Sequence, residues 1–260
     1  MSIMPQTLSK IQRSFSAAAE KYDTSCGLHR EIAGRLAAVL TRPAAMPAAV
    51  LDAGCGTGYL TALMADRFPG ARVIGLDFAR GMLEAARLKR PDLTWLLGDI
   101  HKLPFSDGRF GLLVSNLSYQ WSGDISRAFA ESRRVLAPGG VLAGTLFGYH
   151  TCHELFESLH EAASGTLQFH RLPDETMVRD ALISAGFKNP EIKCEPAQVP
   201  FKDMYELMFW LKAIGANNLP RDGHVGKQAM ARAADIYVRR FASGQGVQST
   251  FEVIWVYAQR

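Results

Sequence analysis

The sequence predicts an α/β protein built on a doubly wound parallel sheet. Three observations carry that prediction. Apolar, strand-like runs alternate with helical-period segments from Ala49 to Phe147. A glycine loop, Gly54-Cys55-Gly56-Thr57-Gly58, joins the first strand to the helix behind it. Phe110 to Ser115 is rich in apolar residues, as a buried parallel strand should be.

The elements follow in order. Leu8, Ile11, Phe15, Ala18 or Ala19, and Tyr22 fall at helical spacing, opposite Lys10, Arg13, Ser14 and Ser16. After a break at Asp23-Thr24-Ser25-Cys26-Gly27, a second stripe runs through Leu28, Ile32, Leu36 and Val39, and Thr41-Arg42-Pro43 ends it. The two helices either pack on the main domain or form a lid that carries Tyr22 into a pocket. Strands are expected at Ala49–Ala53, Arg72–Asp77, Leu93–Leu97, Phe110–Ser115 and Val141–Phe147. Helices are expected at Tyr59–Phe68, Arg80–Lys89 and Ile125–Val135, with a turn at Pro138-Gly139-Gly140.

Beyond Phe147 the regular alternation fails. Cys152–Ala163 reads as an inserted helix, and Pro173-Asp174-Glu175 starts another that Gly186 stops. Glu191–Val199 alternates like a strand, Asp203–Ala216 and Lys227–Phe241 read as helices, and Ser249–Ala258 as a last strand. The loop Asn217-Asn218-Leu219-Pro220-Arg221-Asp222-Gly223 separates the last two helices. The inserted helices are expected to cap the sheet's carboxyl edge. A single domain over 1–260 is therefore expected: N-terminal helices or lid over 1–42, a ligand-binding core over 48–147, cap insertions plus a sixth strand over 148–248, and the last strand over 249–260.

Composition narrows the class. The net charge of +4 permits an acidic partner without demanding one. Cys26, Cys55, Cys152 and Cys194 form no C-x-x-C pair, so neither a zinc knuckle nor a disulfide framework is suggested. His150 and His153, with Cys152 between them, lack a well-spaced fourth ligand, so no metal is expected. No apolar run approaches the ~20 residues that span a bilayer, and the first residues lack a signal peptide's pattern, so a cytoplasmic protein is expected.

Ligands of open α/β sheets sit beyond the strands' carboxyl ends. Asp52 and Gly54, Gly56 and Gly58 close the first strand there. Asp52 would repel a pyrophosphate and hold a cationic amino-acid group. A dinucleotide fingerprint would be G-x-G-x-x-G, but Tyr59 takes the place of its third glycine. S-adenosylmethionine, with an ammonium and a sulfonium beside its carboxylate, is the cofactor that these residues suit. Asp77, 25 residues after Asp52, can accept from both ribose hydroxyls. Asp99 can accept from an adenine amino group while the Ile100 amide meets a ring nitrogen. Asn116 faces the place of the reactive methyl, and Cys55 and Phe78 complete the candidate cofactor set.

Val50 to about Leu146 resembles the class I methyltransferases that use S-adenosylmethionine, which implies a Rossmann-like doubly wound sheet, mostly parallel with an antiparallel last strand. The resemblance assigns Asp52, Gly54, Gly56 and Gly58 to the methionine end, Asp77 to ribose, and Asp99 with Ile100 to adenine. Ser115 and Asn116 would edge the reaction centre.

The flanks resemble one family more closely, the malonyl-acyl-carrier-protein O-methyltransferases of biotin synthesis. Phe15-Ser16-Ala17-Ala18-Ala19-Glu20-Lys21-Tyr22-Asp23 resembles their entry segment, and Ser115-Asn116-Leu117-Ser118-Tyr119-Gln120-Trp121 their S-N-L-x-x-Q-W. Glu154-Leu155, Arg171-Leu172-Pro173-Asp174-Glu175, Leu211-Lys212-Ala213-Ile214-Gly215-Ala216-Asn217 and Thr250-Phe251-Glu252-Val253-Ile254 resemble later family segments. Two departures stand out. The family's G-S-L is here Gly148-Tyr149-His150-Thr151, and an arginine before L-K-x-I-G-A is replaced at Phe209 or Trp210. Arg171 and Lys212 are the candidate replacements.

The resemblance implies methyl esterification of a malonyl thioester's free carboxylate, with the acyl group carried by acyl carrier protein or CoA. Tyr22, Gln120, Trp121 and Arg171 are the candidate acceptor-site residues. Arg232, Arg239 and Arg240 could help dock an acidic carrier. No nucleic-acid or membrane partner is expected, and the chain should be a monomer or weak dimer. The competing classes are a transferase acting on a quinone precursor, another small acid or RNA, a hydroxylase-like assembly factor, and a non-catalytic S-adenosylmethionine-binding protein.

Overall fold

The computed structural model describes residues 5–40, 46–169, 172–216, 221–222 and 225–260. Two helices, α1 (Pro5–Ser25) and α2 (Gly27–Val39), lead into the alternating core. The core runs β1 (Ala49–Ala53), α3 (Tyr59–Arg67), β2 (Arg72–Asp77), α4 (Arg80–Lys89), β3 (Thr94–Leu97), β4 (Phe110–Asn116), α5 (Ile125–Val135) and β5 (Leu136–Phe147). It continues through α6 (His153–Ala162), α7 (Glu175–Ser184), β6 (Lys188–Phe201), α8 (Met204–Ala213), α9 (Lys227–Phe241) and β7 (Gly246–Gln259).

The strand order is β3-β2-β1-β4-β5-β7-β6, with Ala242–Ser243 as a short eighth strand on β7. Parallel pairing holds from β3 through β5, and β7 runs antiparallel between β5 and β6. The chain winds outward from β1 to β3, then restarts at β4 on β1's other edge. That reversal leaves a crevice between the carboxyl ends of β1 and β4, where such sheets bind ligands.

Period-two alternation divides the core between two faces. Leu51 and Leu113 join Phe129, Val178, Leu182 and Ile254 on one side. Val50, Leu112 and Val114 join Leu36, Leu60 and Met64 on the other. A third cluster lies under the late helices, where Phe147, Leu155, Met204, Tyr237 and Phe251 pack together. Burying each such side chain contributes roughly 1.5–3 kcal/mol.

The structure adjusts several expectations. The break between the first two helices narrows to Cys26. Pro138-Gly139-Gly140 lies within β5 and shifts its register against β4 between Phe110 and Leu112, rather than ending a separate turn. Helix α7 packs against α5 and β6 on the sheet, so it covers a sheet face and is not cap. Helices α6, α8 and α9 pack together against β7 and β6, and α8 also meets α1. Gln168–Phe169 pairs with Arg221–Asp222 in a two-stranded ribbon that the sequence pattern did not signal. Thr41-Arg42-Pro43, Arg171, Asn217 to Pro220 and Gly223 lie outside the described residues.

Helix α1 crosses α4 at Gly81, where a Cβ would come within 2.5 Å of the Ser16 carbonyl oxygen and 3.0 Å of its Cα. Gln12 Nε2 also donates to the Phe78 carbonyl at 2.6 Å. Gly81→Ala should therefore push α1 outward. Limited proteolysis should cut α1 faster in this variant and cofactor affinity should fall, with Tm little changed. Unaltered cleavage would mean that the crossing has slack.

Candidate active site

A cavity of about 410 Å³ occupies the crevice at the switch in strand order. Its floor is Asp52, Gly54, Cys55, Gly56 and Thr57, following directly from β1. Three turns of positive φ, +77° at Gly54, +54° at Gly56 and +86° at Gly58, make this path cheap only for glycine. The three glycines differ in what surrounds them. A Cβ on Gly54 would strike Ser118, and one on Gly58 would strike the Trp95 ring. One on Gly56 meets nothing within 4 Å. Gly58 is absent from the cavity wall and seats Trp95 beneath the loop.

Asp52 is fully buried. Its Oδ2 accepts from Thr61 Oγ1 at 2.6 Å, while Oδ1 is buried with no donor among the described residues. Burial, with the Asp77 charge as a further contributor, pushes its carboxyl up to about 7. Asp77 accepts from the Gly56 amide at 2.8 Å and the Ala79 amide at 2.7 Å, which fixes the loop to the end of β2. Burial raises Asp77 to about 6 against the pull of those backbone donors. Each of its oxygens keeps a second lone pair for a ligand.

Further along the wall, Phe78, Met82, Leu97 and Ile100 make an apolar strip that ends at Asp99 and His101. Asp99 is exposed and accepts from the His101 amide at 2.9 Å. Cys55 lines the cavity as a thiol, its pKa raised well above the ordinary value by burial and then by Asp77 and Asp52.

Sequence reasoning missed two wall residues on α2. Arg30 is the one Lys or Arg among the described lining residues. Its guanidinium lies 5.2 Å from the Tyr59 ring centroid and 3.5 Å from Asp23, and its Nε is buried without a partner. His29 faces the cavity with Nδ1 buried and unpartnered, and burial holds its imidazole down to about 4. Their only signal was adjacency to Leu28 and Ile32 on the helical stripe. Asp23 ties this corner together by accepting from Thr57 Oγ1 at 2.7 Å and pairing with Lys89 and Arg30. Although burial works against it, those partners hold the Asp23 carboxyl below its ordinary value.

Asn116 lines the cavity, but both ends of its side chain are engaged. Its Nδ2 donates to the His29 carbonyl at 3.1 Å, and Oδ1 accepts from Thr145 at 2.8 Å. It pins α2 to the sheet. Ser115 is fully buried, donates to the Ala53 carbonyl at 2.7 Å and does not reach the cavity.

A smaller chamber of about 40 Å³ adjoins the cavity and shares Phe15, Tyr22, His29, Leu117 and Trp121 with it. Gln120 lines the chamber alone, with Nε2 donating to the Leu117 carbonyl at 2.8 Å. Trp121 meets Phe15 edge-on at 5.5 Å. Tyr22 stays protonated, because burial, and after it Cys26, Asp77 and Asp23, raises its phenol above the ordinary range. Leu117 and Cys152, both in the chamber wall, hold left-handed φ of +53° and +55° without being glycine. Such strain persists where surrounding packing enforces it. Lys212 is exposed and lines neither compartment. Phe209 is exposed, and Trp210 packs inward against His29. Arg240 pairs with Glu157 and Glu161, so its charge is already met. Among the described residues no His, Cys, Asp and Glu cluster could hold a metal.

Fold and floor together define a class I methyltransferase. Residues 50–140 match the family model described as a methyltransferase domain. The chain belongs to the malonyl-[acyl-carrier protein] O-methyltransferase family. It is 36% identical over 256 residues to the Halorhodospira halophila protein of that name, covering 95% of this chain and 86% of that one. It is 34% identical over 262 residues to the Geobacter sulfurreducens protein of the same name, covering 96% and 98%. Among solved structures, a candidate methyltransferase from Bacillus halodurans shares the fold at TM-score 0.64 and 18% identity, over 88% of this chain and 98% of that chain.

The residues present fit S-adenosylmethionine. The orphaned Asp52 oxygen can take a donor, and Arg30, which meets Asp23 through one terminal nitrogen, keeps an unpartnered Nε among the described residues. Asp52→Asn should weaken binding of S-adenosylhomocysteine, the demethylated cofactor, by about 10–100-fold, the worth of a hydrogen bond to a charged group. The ligand-free variant should be more stable than the parent at pH 8. A carboxyl raised from 3.8 to about 7 in the fold costs stability as pH rises through that window, and the cost persists above it. Calorimetry and thermal melts check both, and unchanged binding would remove Asp52 from the site.

Proposed function

We infer that this protein transfers the methyl group of S-adenosylmethionine to the free carboxylate of a malonyl group carried on acyl carrier protein. The observation that carries the reading is the charge layout. Among the described residues, an Asp52 oxygen without a donor and one guanidinium, that of Arg30 beside Asp23, line one cavity, as a zwitterionic amino-acid end requires, and an apolar chamber opens beside them. In the relatives' own name, the acceptor is the malonyl-carrier protein.

Asp52 takes the ammonium and Arg30 the carboxylate of the methionyl end. Gly54, Cys55 and Gly56 let backbone approach it, with Gly58 shaping the loop from below. Asp77 accepts from the ribose, Phe78 flanks the adenine, and Asp99 with the Ile100 amide meets the adenine's polar edge. The acceptor enters the chamber between Tyr22, Gln120 and Trp121, and Arg171 stands as a further candidate on sequence grounds. One domain contains both halves of the site.

The bound cofactor supplies an electrophilic methyl on a sulfonium. Its transfer to a carboxylate oxygen would exchange the S–C bond for an O–C bond and leave a neutral thioether. No proton moves, because the acceptor is already ionised at pH 7. The chain therefore needs no general base and works by alignment and water exclusion, which supply large rate factors. Phe15, Trp121 and Leu117 form the wall that separates the reacting atoms from solvent. Masking the malonyl charge lets fatty-acid elongation proceed towards the biotin precursor. CoA in place of the carrier protein, a monomeric or weakly dimeric state, and a cytoplasmic setting without nucleic-acid or membrane partners belong to the same reading. No helix among the described residues is long and apolar enough to cross a membrane.

Methyl-labelled cofactor incubated with malonyl-carrier protein should yield a base-labile methyl ester. The unacylated carrier should yield none. Label that stays out of the malonyl thioester would overturn the reading.

A further inference from the structure

The chamber beside the cavity carries no Asp, Glu, Lys or Arg among its described lining residues. A carboxylate brought there needs polar partners, since an unpartnered anion is strongly disfavoured away from water, and those that the described lining offers carry no formal charge. The candidates differ in what they have left to give. Gln120 already spends an amide hydrogen on the Leu117 carbonyl. Thr151 exchanges hydrogen bonds with the Glu252 backbone at 3.3 and 3.2 Å. His29 is uncommitted, with Nδ1 buried and unpartnered among the described residues.

Its position is also fixed. Tyr22, Phe147 and Trp210 surround the imidazole with ring centroids at 5.8, 5.6 and 6.0 Å. Trp210 is itself anchored by Nε1 donating to the Ser25 carbonyl at 2.7 Å. Behind the ring, the His29 carbonyl accepts from Asn116. A side chain held on three sides, with a ring nitrogen uncommitted among the described residues, and lining both compartments is preorganised for whatever crosses their junction.

We propose that His29 is an acceptor-contacting residue, whose imidazole N–H donates to one oxygen of the acceptor carboxylate and leaves the other oxygen facing the cavity. The inference rests on the malonyl reading above. Burial keeps the ring uncharged at physiological pH. An uncharged donor fixes the carboxylate while withdrawing less electron density from it than a guanidinium would, so the attacking oxygen stays nucleophilic. Tyr22, protonated and in contact with His29, is placed to give the companion hydrogen bond.

The test uses the full chain and its His29→Phe and His29→Gln variants, since Phe keeps the ring packing and Gln keeps a donor. Calorimetry with saturating S-adenosylhomocysteine compares malonyl-carrier protein with the unacylated carrier, and steady-state kinetics follow with S-adenosylmethionine. His29→Phe should lose about 10–100-fold in kcat/KM and most of the malonyl-dependent binding. S-adenosylhomocysteine affinity should stay within about twofold of the parent. His29→Gln should recover to within about fivefold of the parent's kcat/KM. A His29→Phe variant with parental kcat/KM overturns the proposal while leaving the malonyl reading intact. Equal loss in both variants, with S-adenosylhomocysteine binding also weakened, assigns His29 to packing and overturns it as well. A parent that binds S-adenosylhomocysteine but does not distinguish the two carriers overturns the malonyl reading and this proposal with it.

Discussion

Asp52 sits at the end of a fully buried strand in the cavity floor, with one carboxylate oxygen bonded to Thr61 and the other buried without a donor among the described residues. Leaving a buried charged group unpaired costs several kcal/mol in a folded protein. The surrounding fold supplies the β1–β2 pairing, the glycine turn and the Asp77 bonds to Gly56 and Ala79 that hold this carboxylate in place. The parts of the site are arranged around meeting that charge. A cationic ligand would convert the penalty into binding energy, and in the proposed reading the Arg30 guanidinium on the same cavity wall receives the ligand's carboxylate.

The second half of the site follows different physics. Its walls are aromatic and aliphatic, its polar groups uncharged, and two of its backbone positions are strained. These features suit a nucleophile that arrives already ionised and needs orientation more than activation. Helix α1 spans both halves: Phe15 and Tyr22 line cavity and chamber alike, and Asp23 latches the helix to Thr57 and Lys89. In the proposed reading, cofactor and acceptor therefore share one wall helix. Disturbing the α1–α4 crossing reaches both.

The cofactor half was legible because its determinants are local. Asp52, the three glycines and Asp77 sit at strand ends that period and turn chemistry locate within a residue or two, and β1, β2, α4, α5 and α9 match their expected bounds. The residues that α2 brings to the site were less so. His29 and Arg30 reach the cavity through long-range contacts of α2, its packing on the sheet and the bond from Asn116, 87 residues beyond His29, to the His29 carbonyl. Nothing in a helical stripe of Leu28, Ile32 and Leu36 marks its polar neighbours as wall residues. Similarly, α7 looked like an insertion because its sheet contacts with α5 depend on the β7–β6 pairing, which places β6 at the far edge. Gln120 and Trp121 lie where the S-N-L-x-x-Q-W resemblance would put an acceptor, yet Asn116 and Ser115 of the same segment turn out to brace the structure.

The most direct measurement is a carbon-13 titration of the Asp52 side-chain carboxyl, with and without S-adenosylhomocysteine. The free protein should titrate near pH 7, set chiefly by burial. The ligand's ammonium should carry that midpoint down by more than a unit, since an opposite charge at hydrogen-bond distance favours the ionised form. A midpoint unmoved by a bound ligand would mean that the ammonium lies elsewhere, and would contradict the account.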